Sequence, residues 1–137
     1  MLFRSGGPVT LRGALLIAVL LDGRLTHTVR TAYPDGRVRT VREYRAGREQ
    51  GRHEGWWPDG TRQFLLRYDD GLLEGEAREW YPNGALYRLS TYHRGQEEGP
   101  QRMWNADGTL RASYDVHDGR RYGNIGAVGC TPGDSAK

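Results

Sequence analysis

Apolar side chains along this chain stand in short alternating stretches separated by glycine-bearing turns, the spacing of half-buried β-strands. The pattern repeats. From Tyr33 onward it falls into four rows of 24 residues that begin at Tyr33, Trp57, Tyr81 and Asn105, with no slip in register. Each row opens on a turn tetrapeptide, YPDG, WPDG, YPNG or NADG. Glycines recur at Gly36, Gly60, Gly84 and Gly108, at Gly47, Gly71, Gly95 and Gly119, and at Gly51, Gly75, Gly99 and Gly123. Two aromatic columns accompany them, Tyr44, Tyr68 and Tyr92, and Trp56, Trp80 and Trp104. Five aligned columns are not a chance arrangement.

Each row reads as a β-hairpin unit. Proline presets φ at the second turn position, Asp or Asn tolerates the third, and glycine takes the left-handed fourth, so Gly36, Gly60, Gly84 and Gly108 are structural turn residues. The two later glycines bound a second, looser reversal, which places strands at about 37–44 and 52–57 in the first row. The expected fold is all-β, an elongated single-layer antiparallel meander of 24-residue hairpins. If Trp57 pairs with Thr61 across its corner, Trp56 lies opposite Arg62, Trp80 opposite Leu86 and Trp104 opposite Leu110. Strict alternation then gathers Val38, Tyr44, Trp56, Phe64, Leu66, Tyr68, Trp80, Leu86, Tyr92, Trp104, Leu110 and Tyr114 on one aromatic face. The other face carries Val41, Leu65, Leu89 and Ser113, flanked by Trp57, Tyr81 and Tyr87 among polar groups, and is expected to be wetter.

Residues 1–32 form an N-terminal segment, 33–124 the four repeats (33–56, 57–80, 81–104 and 105–124), and 125–137 a tail without the pattern, expected to be mobile or loosely docked. The apolar run Ala14 to Leu21 is much shorter than the ~20 residues of a spanning helix. Two arginines precede it, as in a signal peptide, but no clear cleavage site follows. Because Gly23 and Leu20 fall into the columns of Gly47 and Tyr44, a degenerate capping repeat is the favoured reading over a signal or anchor.

Composition narrows the function classes. The 137 residues are 36% hydrophobic, with 20 glycines and a mean hydropathy of -0.77, too thinly apolar for a thick two-layered enzyme core. Net charge is +3, so nucleic acid is not expected as a partner. The chain has one cysteine, Cys130, and therefore no internal disulfide or thiolate zinc cluster. Lys137 is the only lysine, so no Walker A sequence exists, and neither a G-x-S-x-G elbow nor an H-E-x-x-H sequence occurs. Catalytic residues, metal ligands and cofactors are therefore all expected to be absent. His93 and His117 share a column, but equivalent positions two strands apart stand ~10 Å from one another, too far to share a metal.

The YPNG-like corners, the Tyr column, the Gly-x-x-x-Gly pair and the Trp-rich strand together resemble the MORN-repeat variant family, whose bacterial members include YwqK-type antitoxins and immunity proteins. The resemblance covers about Tyr33 to Gly123. Familiar members place tryptophan where this chain has His53, Ala77 and Gln101, and glycine where it has Arg42, Leu66, Ser90 and Tyr114. The resemblance implies a non-catalytic protein-binding repeat module of the antitoxin or immunity type; the expected location is the bacterial cytoplasm or, by export, the cell envelope or periplasm. The alternative is a self-associating scaffold at a membrane surface or in the cell envelope. The expected partner is a protein, a basic toxin in the sharper form, or a second copy of the chain in a homodimer; anionic lipid is a lesser alternative. A thin sheet needs a cover for its rings, so Tyr44, Trp56, Phe64, Tyr68, Trp80, Leu86, Tyr92 and Trp104 are the candidate binding face. Asp69, Asp70, Glu74, Glu76, Glu97 and Glu98 form a candidate acidic patch.

Overall fold

The computed structural model describes Val9–Leu11, Ala14–Leu21 and residues 24–126, with side chains from Leu25 onward; the expected tail, from residue 127 on and with Cys130, lies outside these residues. Among the described residues there is no helix, and their strands form one antiparallel sheet. Its strands are β1 (Val9–Leu11), β2 (Ala14–Leu21), β3 (Arg24–Ala32), β4 (Val38–Arg45), β5 (Arg48–Trp56), β6 (Arg62–Asp69), β7 (Leu72–Leu73), β8 (Gly75–Trp80), β9 (Leu86–His93), β10 (Gln96–Trp104), β11 (Leu110–His117) and β12 (Arg120–Asn124). Each strand pairs with its neighbour in the chain, except that β7 and β8 lie in succession along β6. The apolar run forms β2, paired along its whole length with β3.

The tetrapeptide corners form as their residue types dictate. In each, the first residue's N–H donates across the loop to a carbonyl, as Trp57 does to Thr61 at 2.8 Å, and the glycine N–H returns to the first residue's carbonyl, as Gly60 does to Trp57 at 2.9 Å. The third residue does more than tolerate its conformation. The Oδ1 atoms of Asp35, Asp59, Asn83 and Asp107 each accept the N–H two residues on, at 2.9 to 3.0 Å.

The second reversal is not loose. Ala46-Gly47, Asp70-Gly71, Arg94-Gly95 and Asp118-Gly119 all have positive φ at both positions, the signature of a two-residue type I′ turn. The strands therefore continue to the turn, and β5 starts at Arg48 instead of about residue 52. The later glycines, Gly51 and Gly99 among them, sit within the strands at positive φ and make bulges.

Cross-strand pairing at the corners agrees with the sequence: Trp56 faces Arg62, Trp80 faces Leu86 and Trp104 faces Leu110. One residue further in, the register shifts, because Gly55 faces Phe64, Glu79 faces Arg88 and Met103 faces Ala112. Gln63, Tyr87 and Arg111, with Arg39 in β4, are the extra residues of four equivalent bulges. An extra residue inverts the phase of alternation, so the single aromatic face splits into two. Tyr44, Phe64, Leu66, Tyr68, Tyr92 and Tyr114 belong to one face, here the inner; Val38, Trp56, Trp80, Leu86, Trp104 and Leu110 belong to the outer. Trp57, Tyr81 and Tyr87 move to the inner face.

All the fully buried side chains described are on the inner face. A row crosses the sheet from His53 through Leu66, Ala77, Ser90 and Gln101 to Tyr114, every member opposite the next or flanked by its pairs. Next to it Ala112, Tyr114 and Val116 pack with Met103 as the apolar cluster. Small residues on this floor let longer neighbours lean across it, which is how one layer buries anything at all.

Candidate functional site

The inner face is an aromatic and polar channel. His27 stacks on Tyr44 at 5.0 Å between ring centroids, Tyr44 meets His53 at 5.5 Å, and His53 meets Tyr68 at 4.5 Å. Burial, ahead of nearby Glu49, raises the Tyr68 hydroxyl above the ordinary tyrosine pKa. His53 and Gln101 have a common task. Each bulge glycine leaves one carbonyl of the preceding strand without a ladder partner; His53 Nε2 donates to Glu43 O at 2.8 Å and Gln101 Nε2 to Thr91 O at 2.7 Å. In the row between, the carbonyl of Arg67 accepts the backbone N–H of Glu74, and the floor position is only Ala77.

Further along, Glu97 accepts Arg88 Nη2 at 2.8 Å and Arg121 Nη2 at 3.0 Å, while Arg88 Nε donates to Ser90 Oγ at 2.7 Å. Arg121 lies 5.3 Å over the Tyr114 ring. The Tyr114 hydroxyl is raised in pKa, first by burial and then by Glu97.

At the corner end of this face lies a cleft of about 310 Å³ lined by Trp57, Gln63, Phe64, Glu79, Trp80, Tyr81, Pro82 and Tyr87. Phe64 enters it because its cross-strand partner is Gly55, where a Cβ would collide with the ring. Trp57 is held by its Nε1 bond to Trp80 O at 3.2 Å, and Tyr81 by its hydroxyl bond to Trp104 O at 3.0 Å. The sequence places Trp57, Tyr81 and Tyr87 on the wetter face and Glu79 among the carboxylates that concentrate in rows two and three, outside the six candidate acids. Glu79 was legible only as one charge among many, until the bulge brought it beside Phe64.

The outer face carries Trp56, Trp80 and Trp104, all half-buried, in line with Leu86 and with Leu110, which is 57% exposed. Arg62 lies 5.9 Å from the Trp80 ring centroid. A shallow cleft of about 300 Å³ runs between Trp56, Val38, Gly60 and the Arg30 and Arg37 side chains.

The six candidate acids do not assemble into one patch. Asp69 accepts Gln50 Nε2, Asp70 pairs with Arg48 at 3.0 Å, and Glu76 pairs with Arg78 beside it. Glu97 sits in the inner network, while Glu98 is 3.5 Å from His117 and Glu74 is 2.9 Å from His93. Glu74 is lowered in pKa, chiefly by the Arg94 backbone N–H and then by His93. His93 and His117 therefore each meet a carboxylate of the preceding hairpin. Among the described residues, no group of three or more His, Cys, Asp or Glu could hold a metal ion.

No family model, curated protein or solved structure matches this chain.

Proposed function

We propose that the chain is a non-catalytic protein-binding module of the antitoxin or immunity type, meeting its partner on the outer face. The observation that supports this is the row Trp56, Trp80 and Trp104: three large rings at one per repeat, half-exposed, with no described segment packed over them. Tryptophans aligned with Leu86 and Leu110 and edged by arginines have the composition of interface anchors. The choice of an antitoxin-type role rests on the resemblance of the repeat columns. With the six acids dispersed and mostly paired, the attraction of a basic toxin is assigned to the ring row more than to a charged patch.

The test compares the wild-type chain with a W56A/W80A/W104A variant of unchanged circular dichroism in affinity capture from the native host. A partner protein retained by the wild type, lost by the variant and rebound in purified form is the expected result. Retention by both proteins rules out the outer row, and a wild type that sediments as a lone monomer and retains no protein overturns the binding role. A second copy of the chain as the retained protein transfers the reading to the self-associating scaffold.

A further inference from the structure

The corner cleft of the inner face is a negatively polarised aromatic box. Trp57 and Tyr81 open successive corners, Tyr87 is the extra residue of the β9 bulge, Phe64 comes from β6, and Glu79 of β8 is Phe64's cross-strand partner. Tyr81 and Tyr87 meet edge to face, 5.0 Å apart with planes at 66°. Ring faces carry negative quadrupolar charge, and Glu79 adds a full one.

That charge is unanswered. Glu79 is half-buried and makes no hydrogen bond or ion pair among the described residues. Its cross-strand neighbour Arg88 is committed elsewhere, to Ser90 and Glu97. The first repeat shows what the same frame does with a cation of its own. There the bulge residue is Arg39, and its guanidinium lies 5.7 Å from the Tyr33 ring centroid. Two periods later Tyr87 and Tyr81 occupy those positions, and the cation is missing from the frame.

We propose that Trp57, Phe64, Glu79, Tyr81 and Tyr87 bind a quaternary ammonium group. A guanidinium brings five N–H donors and a primary ammonium three, and against rings most would find no acceptor. A trimethylammonium has none to satisfy, spreads its charge over methyl groups that pack on rings, and needs one carboxylate nearby. A cleft of about 310 Å³ suits a headgroup and little more. Trimethyllysine and choline-type headgroups present the same chemistry. Of the outer row only Trp80 also lines the cleft, so a W56A/W104A variant keeps the site wherever its fold is intact.

The test is calorimetric titration of the full chain with choline chloride, against sodium chloride at equal ionic strength and against 3,3-dimethylbutan-1-ol, the uncharged carbon isostere. Choline saturates, and the isostere binds at least about tenfold more weakly. Glu79→Gln and Tyr87→Leu, each with unchanged circular dichroism, weaken choline by about tenfold, whereas Gln63→Glu tightens it severalfold by adding a carboxylate at the rim. Absence of saturation, equal binding of the isostere, or an unaffected Glu79→Gln variant overturns the proposal. Tighter binding of a trimethyllysine peptide supports a protein source, of phosphatidylcholine vesicles a lipid source, and of neither a free small cation.

Discussion

The Phe64 ring occupies the space into which Gly55, its cross-strand partner, would project a Cβ. The glycine is needed for contact and not for backbone freedom, since its φ is not positive. Gly55→Ala should therefore destabilise the chain by about 1–3 kcal/mol through overpacking. In urea unfolding, adding Phe64→Leu should recover part of that loss, giving a coupling in the double-mutant cycle. Additive effects would mean that the ring does not depend on the bare backbone.

Gln101 and His53 serve as side-chain caps for carbonyls stranded by the bulges. Gln101→Leu leaves Thr91 O without its donor in a site where the residue is 1% exposed, a loss of about 1–3 kcal/mol. His53→Gln borrows the solution used two repeats later and should cost less than about 1 kcal/mol, whereas His53→Leu should resemble Gln101→Leu. Equal midpoints for His53→Gln and His53→Leu in chemical denaturation would rule the capping role out.

Asp59 and Asp107 are held below the ordinary aspartate pKa of 3.8, first by the hydroxyls of Thr61 and Thr109 and then by their backbone N–H groups. A depressed folded pKa adds stability that is complete above the ordinary value and is lost as pH falls below it through the folded values. Asn keeps the acceptor, as Asn83 does for Ala85, but does not titrate. The D59N/D107N variant should thus show a shallower fall of the thermal midpoint between about pH 5 and about pH 2.5. An unchanged slope would remove these two groups from the acid response.

Ala46 holds φ at 49° in the first type I′ turn, where its counterparts are Asp70, Arg94 and Asp118. Asn suits that left-handed position better, and Ala46→Asn should stabilise by roughly 0.5–1 kcal/mol, a rise of about 2–5 °C in Tm. A lower Tm would show that the Ala46 N–H bond to Leu25 O cannot survive the change.

Much of this architecture is readable in the chain. The corners, the antiparallel order and the pairs Trp56 with Arg62 and Trp80 with Leu86 follow from the period and from turn chemistry. The faces do not. The bulge column reads Arg39, Gln63, Tyr87 and Arg111, four residues with no shared chemistry, so nothing local marks the extra residue. The floor column His53, Ala77 and Gln101 is similarly mixed, because two members cap a carbonyl with a side chain and the third row uses the Glu74 N–H.

The amino-acid order by itself determined that the chain reverses at one tight corner in every repeat, since the turn residues act within four positions of one another. Only the tertiary structure decided which rings share a side. A strand's side chains alternate with period two, and one unpaired residue per hairpin, placed by its neighbours across the sheet, exchanges the two sides for the rest of that strand.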